Sequence, residues 1–588
     1  MSLSKVLVAN RGEIAVRIIR AARDAGLGSV AVYADADARA MHVEYADEAY
    51  GLRSDGARSG YLDGSQLIEI ARRSGADAIH PGYGFLSENA EFARAVSAAG
   101  LVWIGPAPET IDLLGDKSRA RALAASVGAP LLPGTNEPVE GFGDVLAFAE
   151  EHGLPLVVKA VHGGGGRGMR VVRERAGIAE AYDAATREAE AAFGRGECIV
   201  ERYLDAPRHL EVQVLADGHG RIIALGTRDC SLQRRNQKLI EEAPAPFIGR
   251  QLTERIETAA VDICRAAGYR GAGTVEFLLG GDGTLSFLEV NTRLQVEHAV
   301  TEAVSGVDIV RQQFSIAAGE PMDVPSRVPA CGHAIEFRIN AEDPALGFLP
   351  TPGRIEGLEA PGGPGVRFDS GVRAGSDVPG DFDSLLAKLI VWGRDRGEAL
   401  ARARRALDEL RIDGIATVLP FHRHVVRDPA FIGSEPAEFA VHTRWIEQEC
   451  SADFAVSEPV PEPVAETMTR FRVEIDGRST EIGVPTSLLA NLAPPAGLPD
   501  APAAERQDGG AQESLSADDA GRLRAPFAGT LSIWKAAEGA RVAEGETVAI
   551  LEAMKMEVPV IATRSGVLQR RVPEGAAVSS GAELAVLA

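Results

Sequence analysis

A short stretch near the carboxyl end, Glu552-Ala553-Met554-Lys555-Met556, lies inside a segment that repeats itself. Glycine and apolar positions before Lys555 recur after it at one constant offset: Gly539, Val542, Gly545, Val548 and Ile550 recur as Gly575, Val578, Gly581, Leu584 and Val586. Self-similarity at a fixed offset indicates a structural unit built twice. Each copy alternates apolar residues between glycine turns, which is typical of short strands that pack on another layer. The segment therefore predicts an all-β domain with Lys555 on a tight hairpin between its halves.

A lysine on such a hairpin projects its ε-amine into solvent, where a modifying enzyme can reach it. The alternative is an ordinary solvated lysine, the usual environment of this residue, but methionines on both sides are out of place in a polar turn. Residues from about Arg524 to Ala588 resemble a biotinyl carrier domain, whose Glu-Ala-Met-Lys-Met signature is intact at Glu552 to Met556. The resemblance implies biotin attached to Lys555 by a biotin protein ligase. Lipoyl domains share the two-fold design, but their lysine usually lacks the methionine pair.

Length and charge restrict the class of protein. At 588 residues the chain exceeds what one hydrophobic core supports, so several domains are expected. The net charge of -23 argues against nucleic acid or an anionic membrane as a partner, because both would repel the chain. The chain begins without a signal-peptide pattern, and no uncharged run approaches the length of a membrane span, so a cytoplasmic enzyme is expected. The cysteines lack metal-ligand spacing and are interpreted as reduced structural thiols.

The first part of the chain predicts a parallel sheet. An apolar run at Val6 to Ala9 is followed by a helical pattern and by a second apolar run at Val30 to Tyr33, the rhythm of a sheet covered by helices. The turn at Asn10 to Glu13 lacks the glycine fingerprint of dinucleotide-binding folds, so a Rossmann-like fold without that cofactor is predicted. His80 to Asn89 follows another strand and would lie on the ligand-binding edge of the sheet, unless it is only a tight loop.

A glycine run suggests contact with phosphate. Gly163 to Gly166 follows a strand that carries Lys159, and Arg167 adds a further positive charge. Backbone N–H groups in such a run approach phosphate oxygens without obstruction by side chains. A flexible loop has the same composition, but the strand-borne lysine and a second lysine at Lys117 favour nucleotide binding. No Lys-Ser or Lys-Thr follows the glycines, so the loop is not of the Walker type.

Two strand-like runs place carboxylates opposite each other. If Asp282-Gly283 is a two-residue hairpin turn, Glu276 falls opposite Glu289, and Asn291 follows on the same face. Opposed carboxylates repel unless something neutralises them, and magnesium does so while leaving room for nucleotide phosphates. The alternative is a pair of glutamates on a solvated sheet face.

Guanidinium and carboxylate groups follow these runs. Arg293, Gln295 and Glu297 lie close together in sequence, and Arg338 comes later. This combination suits a small oxyanion that must be held and deprotonated. A surface ion-pair cluster is the alternative.

Residues from about Ser4 to Trp445 resemble a biotin carboxylase of the ATP-grasp superfamily. The motifs that carry the resemblance are Asn10-Arg11-Gly12-Glu13-Ile14-Ala15, His80-Pro81-Gly82-Tyr83-Gly84, Gly163 to Met169, Glu242-Ala243-Pro244 and Glu289-Val290-Asn291-Thr292-Arg293. The expected fold is α/β and α+β with several domains: a Rossmann-like N-terminal domain (1–115), an ATP-grasp domain with a Gly-rich lid (116–330), a mixed carboxylase C-terminal domain (331–446), a linker and small β docking region (447–490), a flexible linker (491–521) and an all-β biotinyl domain in the form of a flattened two-fold barrel (522–588).

The resemblance implies roles residue by residue. ATP is expected to contact Lys117, Lys159, Gly163, Gly164, Gly165, Gly166, Met169, Glu201, Arg202, Tyr203, Leu204, His209, Gln233, Asn236, Glu276 and Glu289. Magnesium, with manganese as an alternative, is expected at Glu276, Glu289 and Asn291. Bicarbonate is expected at Lys238, Arg293 and Val296. Glu297 is expected to deprotonate bicarbonate, and Arg338 to stabilise the enolate-like ureido oxygen of biotin.

Two positions depart from the family pattern. Asn236 stands where many bacterial relatives have histidine, and Ala299 replaces a common proline after Glu297-His298. The first is expected to alter nucleotide contacts, and the second to free the backbone beside the catalytic strand.

The remainder indicates a carrier and a docking region. Ser457 to Pro463 is an extended linker, and Phe471 to Ile475 with Thr480 to Val484 forms a predicted hairpin around Asp476-Gly477. Two strands cannot hold a core, so the hairpin is expected to pack on a neighbouring domain or subunit, as in acyl-CoA carboxylase α subunits.

The main hypothesis is an acyl-CoA carboxylase α subunit that serves a separate carboxyltransferase β subunit, with acetyl-CoA or propionyl-CoA as the final acceptor. A homo-oligomer inside a larger complex is expected. The alternatives are another ATP-grasp ligase, the α subunit of a different carboxylase such as methylcrotonyl-CoA carboxylase, and a carrier with an inactive grasp domain.

Overall fold

The structure of the protein is a computed structural model with two compact units, Met1–Ala455 and Val456–Ala588. The residues that it describes are 3–53, 60–135, 137–161, 169–193, 195–450, 452, 454, 468–475, 478–485, 521–526, 529–553, 556–578 and 581–588. The predictions for Gly163 to Gly166, for the linkers at Ser457 to Pro463 and 491–520, and for Lys555 lie outside them. No helix in the described part is long and apolar enough to cross a membrane.

The chain begins with a parallel five-stranded sheet, as the strand and helix rhythm predicts. Its order is β3-β2-β1-β4-β5, with β1 (Lys5–Val8), β2 (Gly28–Tyr33), β3 (Glu48–Gly51), β4 (Ala78–His80) and β5 (Val102–Trp103). Its helices are Gly12–Asp24, Met41–Tyr45, Gly64–Ser74, Ala90–Ala98 and Pro108–Gly115. Ile14 and Ile18 of the first helix are buried at helical spacing against the sheet. The stretch from His80 to Asn89 begins at the carboxyl end of β4, on the edge where ligands bind in such sheets.

A three-stranded antiparallel sheet follows in the order β7-β6-β8. Its strands are β6 (Leu156–Ala160), β7 (Met169–Val172) and β8 (Cys198–Arg202). The helices Phe142–His152 and Ile178–Phe193 pack on it through apolar side chains. Lys159 on β6 is directly opposite Met169 on β7. The glycine-rich segment connects these two strands in sequence.

An eight-stranded antiparallel sheet carries the candidate site. Its order is β13-β12-β9-β10-β11-β14-β21-β19. The strands of this region are β9 (Arg208–Ala216), β10 (Ile222–Arg234), β11 (Gln237–Ala243), β12 (Gly271–Leu279), β13 (Leu285–Asn291), β14 (His333–Asn340), β15 (Glu342–Asp343), β16 (Leu349–Pro350), β17 (Gly353–Arg354), β18 (Gly357–Glu359), β19 (Val366–Ser370), β20 (Asp377–Val378), β21 (Leu385–Gly393) and β22 (Arg411–Asp413). The sheet runs through the predicted boundary between 116–330 and 331–446, which stays a prediction.

Helices cover both faces of this sheet. Lys117–Ser126 and Arg250–Ala266 pack on an apolar cluster of β9, β12 and β13. His298–Ser305 packs on the opposite side, against Ala334 and Ile390. The other helices of the region are Ile309–Ala318, Arg396–Glu409, Leu419–Val425, Pro429–Ile432 and Trp445–Gln448. The sheet is therefore enclosed, and its charged residues need partners inside the protein.

The hairpin of β12 and β13 differs from its prediction in the turn but not at Glu276. The sequence predicts a two-residue turn at Asp282-Gly283, whereas the strands leave residues 280–284 as the turn, with Gly283 at a φ of +82°. The pairing then shifts by one residue, because Leu288 forms a bulge between two paired positions of β13. The longer turn and the bulge offset each other, so Glu276 is opposite Glu289 as predicted.

Glu242 of β11 joins the sheet to the helix Arg396–Glu409. Arg396 donates to its carboxylate from Nε at 2.7 Å and from Nη2 at 3.1 Å, and His333 Nε2 lies 2.7 Å from it. Burial favours the neutral acid, but Arg396 and His333 outweigh it and lower the pKa of Glu242 to about 2. The carboxylate therefore contributes to stability at neutral pH.

Replacing Glu242 by glutamine is expected to lower the free energy of unfolding at neutral pH by about 3 kcal/mol. Because the folded-state pKa is depressed, the stabilisation is present above the ordinary pKa of 4.5 and is lost as the pH falls towards 2. Denaturant titrations over this range should show the two proteins converging at acidic pH. Glu254→Gln, in the exposed pair with Arg250, is the control and should change stability by less than about 1 kcal/mol. A difference that does not vary with pH would contradict this account.

The second unit contains a hairpin and an all-β domain. The hairpin pairs β23 (Met468–Ile475) with β24 (Arg478–Pro485), and the predicted turn Asp476-Gly477 lies outside the described residues. The all-β domain has two four-stranded sheets, in the orders β25-β32-β30-β27 and β29-β28-β26-β31. Its strands are β25 (Arg522–Arg524), β26 (Gly529–Trp534), β27 (Arg541–Val542), β28 (Thr547–Ala553), β29 (Met556–Ile561), β30 (Gly566–Arg570), β31 (Ala577–Val578) and β32 (Glu583–Leu587).

The sequence repeat corresponds to a structural repeat. The strands β27 and β28 recur as β31 and β32 at the offset found in the sequence. The repeated glycines have matching backbones, with φ of +75° and +81° at Gly539 and Gly575 and +83° and +76° at Gly545 and Gly581. A Cβ at each would meet no atom within 4 Å, so the left-handed backbone alone selects glycine. Ala553 pairs directly with Met556, and Lys555 therefore lies in sequence between the paired ends of β28 and β29.

Candidate active site

Four charged residues form a row across four adjacent strands. Glu289 on β13 is opposite Glu276 on β12, and Glu276 is opposite Glu211 on β9. Glu211 is in turn opposite Arg228 on β10. Three neighbouring carboxylates repel one another, and burial strengthens the repulsion. The row therefore requires positive charge close by.

Lys238 on β11 supplies much of that charge. Its Nζ donates to Glu211 at 2.7 Å, to Glu276 at 2.9 Å and to Glu297 at 2.7 Å. Burial alone would lower the pKa of Lys238, but these carboxylates raise it well above its ordinary value. Lys238, predicted to place bicarbonate, is thus a permanent positive charge between the row and Glu297.

Arg228 is a second buried cation, and it was not among the predicted site residues. Its side chain is fully buried, and all five of its N–H groups are bonded. The acceptors are Glu211, Gln213, Thr301, Thr274 and Gln295. It touches no predicted ligand site directly. Its geometry instead fixes Glu211 and Gln295, both of which contact the residues of the site.

The sequence does contain a pattern that predicts the buried polar residues around Arg228. His209, Glu211 and Gln213 alternate with apolar residues along β9, so their side chains share one face of the strand. Alternating polar residues inside an otherwise apolar strand predict a buried polar face. Only His209 was identified, through the family resemblance.

Arg338 joins two further carboxylates. Its Nη2 donates to Glu297 at 2.9 Å and its Nε donates to Glu241 at 2.6 Å. Burial would raise the pKa of Glu297, but Lys238 and Arg338 hold it well below its ordinary range. Glu297 is therefore a carboxylate at neutral pH, which is the form that a general base requires. Glu297, the predicted general base, is therefore in direct contact with Arg338, which is predicted to contact the ureido oxygen.

Arg293 connects the site to the first sheet. Its Nε lies 3.0 Å from Glu88, and its Nη2 donates to Asn291 at 3.0 Å. Glu88 belongs to the stretch that begins at His80, so this stretch contacts a residue that is predicted to bind bicarbonate.

The residues predicted for ATP fall into two groups in the structure. In the first, His209 Nε2 lies 3.0 Å from Glu276, and Gln233 Nε2 lies 2.9 Å from His209 Nδ1. Lys117 Nζ is 3.7 Å from Glu289. This group is continuous with the charged row.

The second group lies on the small sheet. Lys159 forms an ion pair with Glu201, and Met169 is partly exposed on the neighbouring strand. Arg202 donates from Nη1 to the carbonyls of His152 and Leu154, so its side chain holds β8 in place. The chain continues from β8 into the last predicted members of this group, Tyr203 and Leu204.

Val296, predicted to bind bicarbonate, is held by a buried lysine that was not among the predicted site residues. Lys388 Nζ donates to the carbonyl of Val296 at 2.7 Å and lies 3.5 Å from Glu13. Lys388 is fully buried. It fixes the backbone immediately before Glu297, and Glu13 links it to Tyr83 in the first sheet's edge loop.

The two departures from the family pattern have structural explanations. Arg235 and Asn236, with φ of +49° and +64°, form the two-residue turn between β10 and β11. This turn favours asparagine, whose side chain is exposed there. Ala299 lies in the first turn of the helix His298–Ser305, where it packs against Ala334 and Ile390 of the sheet. Proline is also tolerated in the first turn of a helix, and the expected freeing of the backbone at Ala299 stays a prediction.

The donor set suits a divalent cation at Glu276 and Glu289. Burial and the neighbouring Glu276 raise the pKa of Glu289, as expected for carboxylates short of positive charge. Asn291 donates to Glu276 at 2.9 Å and accepts from Arg293, which leaves its oxygen one free lone pair. Oxygen donors of this kind match the preference of magnesium.

Four segments of the chain match known protein families. Their descriptions are biotin carboxylase, N-terminal domain (residues 2–111), carbamoyl-phosphate synthase L chain, ATP binding domain (116–324), biotin carboxylase C-terminal domain (336–448) and biotin-requiring enzyme (521–587).

Individual proteins match at high identity. The biotin-dependent acyl-coenzyme A carboxylase alpha3 subunit of Mycobacterium leprae is 55% identical over 590 residues, which cover 99% of this chain and 98% of that protein. The biotin carboxylase of Campylobacter jejuni in a β-γ-ATP complex is 41% identical, with a TM-score of 0.70 over 76% of this chain and 99% of that chain. The biotin carboxylase domain of Hydrogenobacter thermophilus 2-oxoglutarate carboxylase, with MgADP, ADP and bicarbonate, is 42% identical, with a TM-score of 0.70 over 76% of this chain and 98% of that chain.

Proposed function

The chain belongs to the biotin-dependent acyl-CoA carboxylase α subunits, and we therefore propose that it carboxylates the biotin attached to Lys555. A separate carboxyltransferase β subunit then transfers the carboxyl group to acetyl-CoA or propionyl-CoA. The ATP-dependent biotin carboxylase activity and the use of biotin, ATP and Mg²⁺ follow from the family itself. The observation that carries the finer proposal is the 55% identity to an acyl-coenzyme A carboxylase subunit along 99% of the chain.

In the proposed site, ATP lies between the small sheet and the charged row. Lys159 and the glycine segment contact its phosphates, and His209 and Gln233 approach from β9 and β10. Asn236 at the hairpin tip is assigned to the ribose. Magnesium at Glu276 and Glu289, with Asn291, would neutralise phosphate charge.

Bicarbonate is assigned to Lys238, Arg293 and the Val296 backbone, with Glu297 bonded to Lys238. Glu297 takes the bicarbonate proton, and the freed oxygen attacks the γ-phosphorus of ATP, which gives carboxyphosphate and ADP. Arg338 would stabilise negative charge on the ureido oxygen of a bound biotin ring. Biotin, when attached, would supply the ureido nitrogen, which loses its proton and receives the carboxyl group as carboxyphosphate releases inorganic phosphate.

The partners are part of the same proposal. Biotin protein ligase attaches biotin to Lys555, and the carboxylase part forms a homo-oligomer within a larger complex. The hairpin of β23 and β24 docks on a neighbouring subunit, since a two-stranded hairpin has little stability alone. The domain limits given from the sequence are retained in this proposal.

Co-purification followed by a substrate panel tests the proposal. The tagged chain is expected to bring down a carboxyltransferase subunit, and the complex should carboxylate acetyl-CoA or propionyl-CoA faster than methylcrotonyl-CoA. The isolated chain should carboxylate free biotin but no acyl-CoA. Acyl-CoA carboxylation by the isolated chain would overturn the separate β subunit, and a preference for methylcrotonyl-CoA would overturn the substrate assignment.

A further inference from the structure

Two buried glutamates, Glu241 and Glu336, lie opposite each other on adjacent strands near Arg338. Glu241 on β11 is directly opposite Glu336 on β14, and Arg338 lies two positions further along β14 on the same face. Both glutamates have no exposed surface. Neither has a role in the proposed reaction.

Hydrogen bonding satisfies only one of their four carboxyl oxygens. Glu241 Oε1 accepts from Arg338 Nε at 2.6 Å. Glu241 Oε2 and both oxygens of Glu336 have no hydrogen-bond partner among the described residues. A buried carboxylate without a partner is strongly unfavourable, so a group in this position is expected to bind a proton.

No surrounding cation donates a hydrogen bond to Glu336 among the described residues. Lys238 donates to Glu211, Glu276 and Glu297. Lys388 on the adjacent strand donates to Val296 and lies beside Glu13. Arg338 is shared between Glu241 and Glu297.

The helix His298–Ser305 covers this face of the sheet with Ala299, Val300 and Val304. Its titratable groups are His298, whose pKa burial holds well below the ordinary value, and Glu302, which is bonded to Arg17 and Arg367. The helix therefore brings no cation to Glu336.

We propose that Glu336 is protonated at neutral pH and donates a hydrogen bond to the carboxylate of Glu241. This shared proton keeps Arg338 available to the substrate. Burial raises the pKa of both groups, to about 7 for Glu241. With both ionised, Arg338 would face three carboxylates, and its charge would be more than neutralised before any substrate oxygen arrived. Glu336 is thus a positioning residue. The inference rests on the proposed contact of Arg338 with the ureido oxygen.

Neutral replacements of Glu336 test the inference. Glu336→Gln, which imitates the protonated acid, and Glu336→Met, which is neutral and of similar length, should carboxylate free biotin within about threefold of wild type at neutral pH. Wild type is expected to lose activity at alkaline pH as the pair ionises, and both variants should lack this decline. The matched change Glu241→Gln, which removes the negative charge that Arg338 Nε contacts, should reduce kcat by about tenfold or more. If Glu336→Gln were as impaired as Glu241→Gln, the proposal would be wrong.

Two measurements are independent of the reaction. Infrared difference spectra between wild type and Glu336→Gln should show a protonated carboxyl band at neutral pH that belongs to Glu336. Since a raised pKa destabilises the folded state as the pH rises above 4.5, Glu336→Gln should gain stability relative to wild type as the pH increases. Absence of the band would overturn the shared proton even if the enzyme carboxylates biotin. If the band were present but Glu336→Gln and Glu336→Met showed an unchanged alkaline decline, the link to Arg338 would be overturned.

Discussion

Lys555→Arg is expected to abolish biotinylation and acyl-CoA carboxylation while free biotin is still carboxylated. Arginine keeps the charge and the long stem, but its guanidinium is weakly nucleophilic and does not form the required amide. The two glycine turns and the strand pairing on either side do not depend on the lysine, so the carrier domain should fold. The carboxylase site lies in the other unit, and it needs only a biotin ring.

Streptavidin blotting and two activity assays measure this result. The matched control is Lys535→Arg, an exposed lysine of the same domain, which should keep full biotinylation and activity. If Lys555→Arg still bound streptavidin, the attachment site would be misassigned. If it folded but lost free-biotin carboxylation, the division between loading site and carrier would be wrong.

Glu297→Gln is expected to show the opposite pattern. Bicarbonate-dependent ATP turnover should fall by about 10²-fold to 10⁴-fold, because an amide does not accept the bicarbonate proton. The change also removes a negative charge from between Lys238 and Arg338. Streptavidin binding should be unchanged, since the carrier domain is untouched.

Steady-state ATP hydrolysis with and without bicarbonate and free biotin checks this prediction. The matched control is Glu320→Gln, an exposed glutamate outside the site, which should keep wild-type turnover. A Glu297→Gln protein that is folded by circular dichroism and retains wild-type bicarbonate-dependent turnover would exclude Glu297 as the base.

Local patterns predicted much of this architecture. The parallel sheet follows from short-range periodicity and the repeat around Lys555 from self-similarity at a fixed offset, both of which the sequence displays directly. The opposition of Glu276 and Glu289 was predicted from the hairpin turn. The roles assigned to the site residues stay predictions. The structure brings most of the described ones into one charged region.

The missed features depend on distant parts of the chain. Arg228 gathers acceptors from β9, β12 and the segment around Gln295, and Lys388 reaches both Val296 and Glu13. No local pattern shows which buried cation will meet which carboxylate, because strand order decides it. The turn at residues 280–284 was mispredicted for a different reason. The sequence shows a favoured turn pair at Asp282-Gly283 but does not show the bulge at Leu288, which restores the predicted pairing of Glu276.

That bulge has a consequence for how this hairpin can change in evolution. Deleting one residue from the turn at 280–284 while Leu288 still bulges would shift the register of β13 by one position, and Glu289 would face away from Glu276. If the bulge at Leu288 were lost as well, the two glutamates would stay opposite each other. Length variants of the loop should therefore be inherited together with changes at Leu288, and single-residue deletions without them should be eliminated. The turn and Leu288 are therefore expected to change together, although neither was predicted as a site residue.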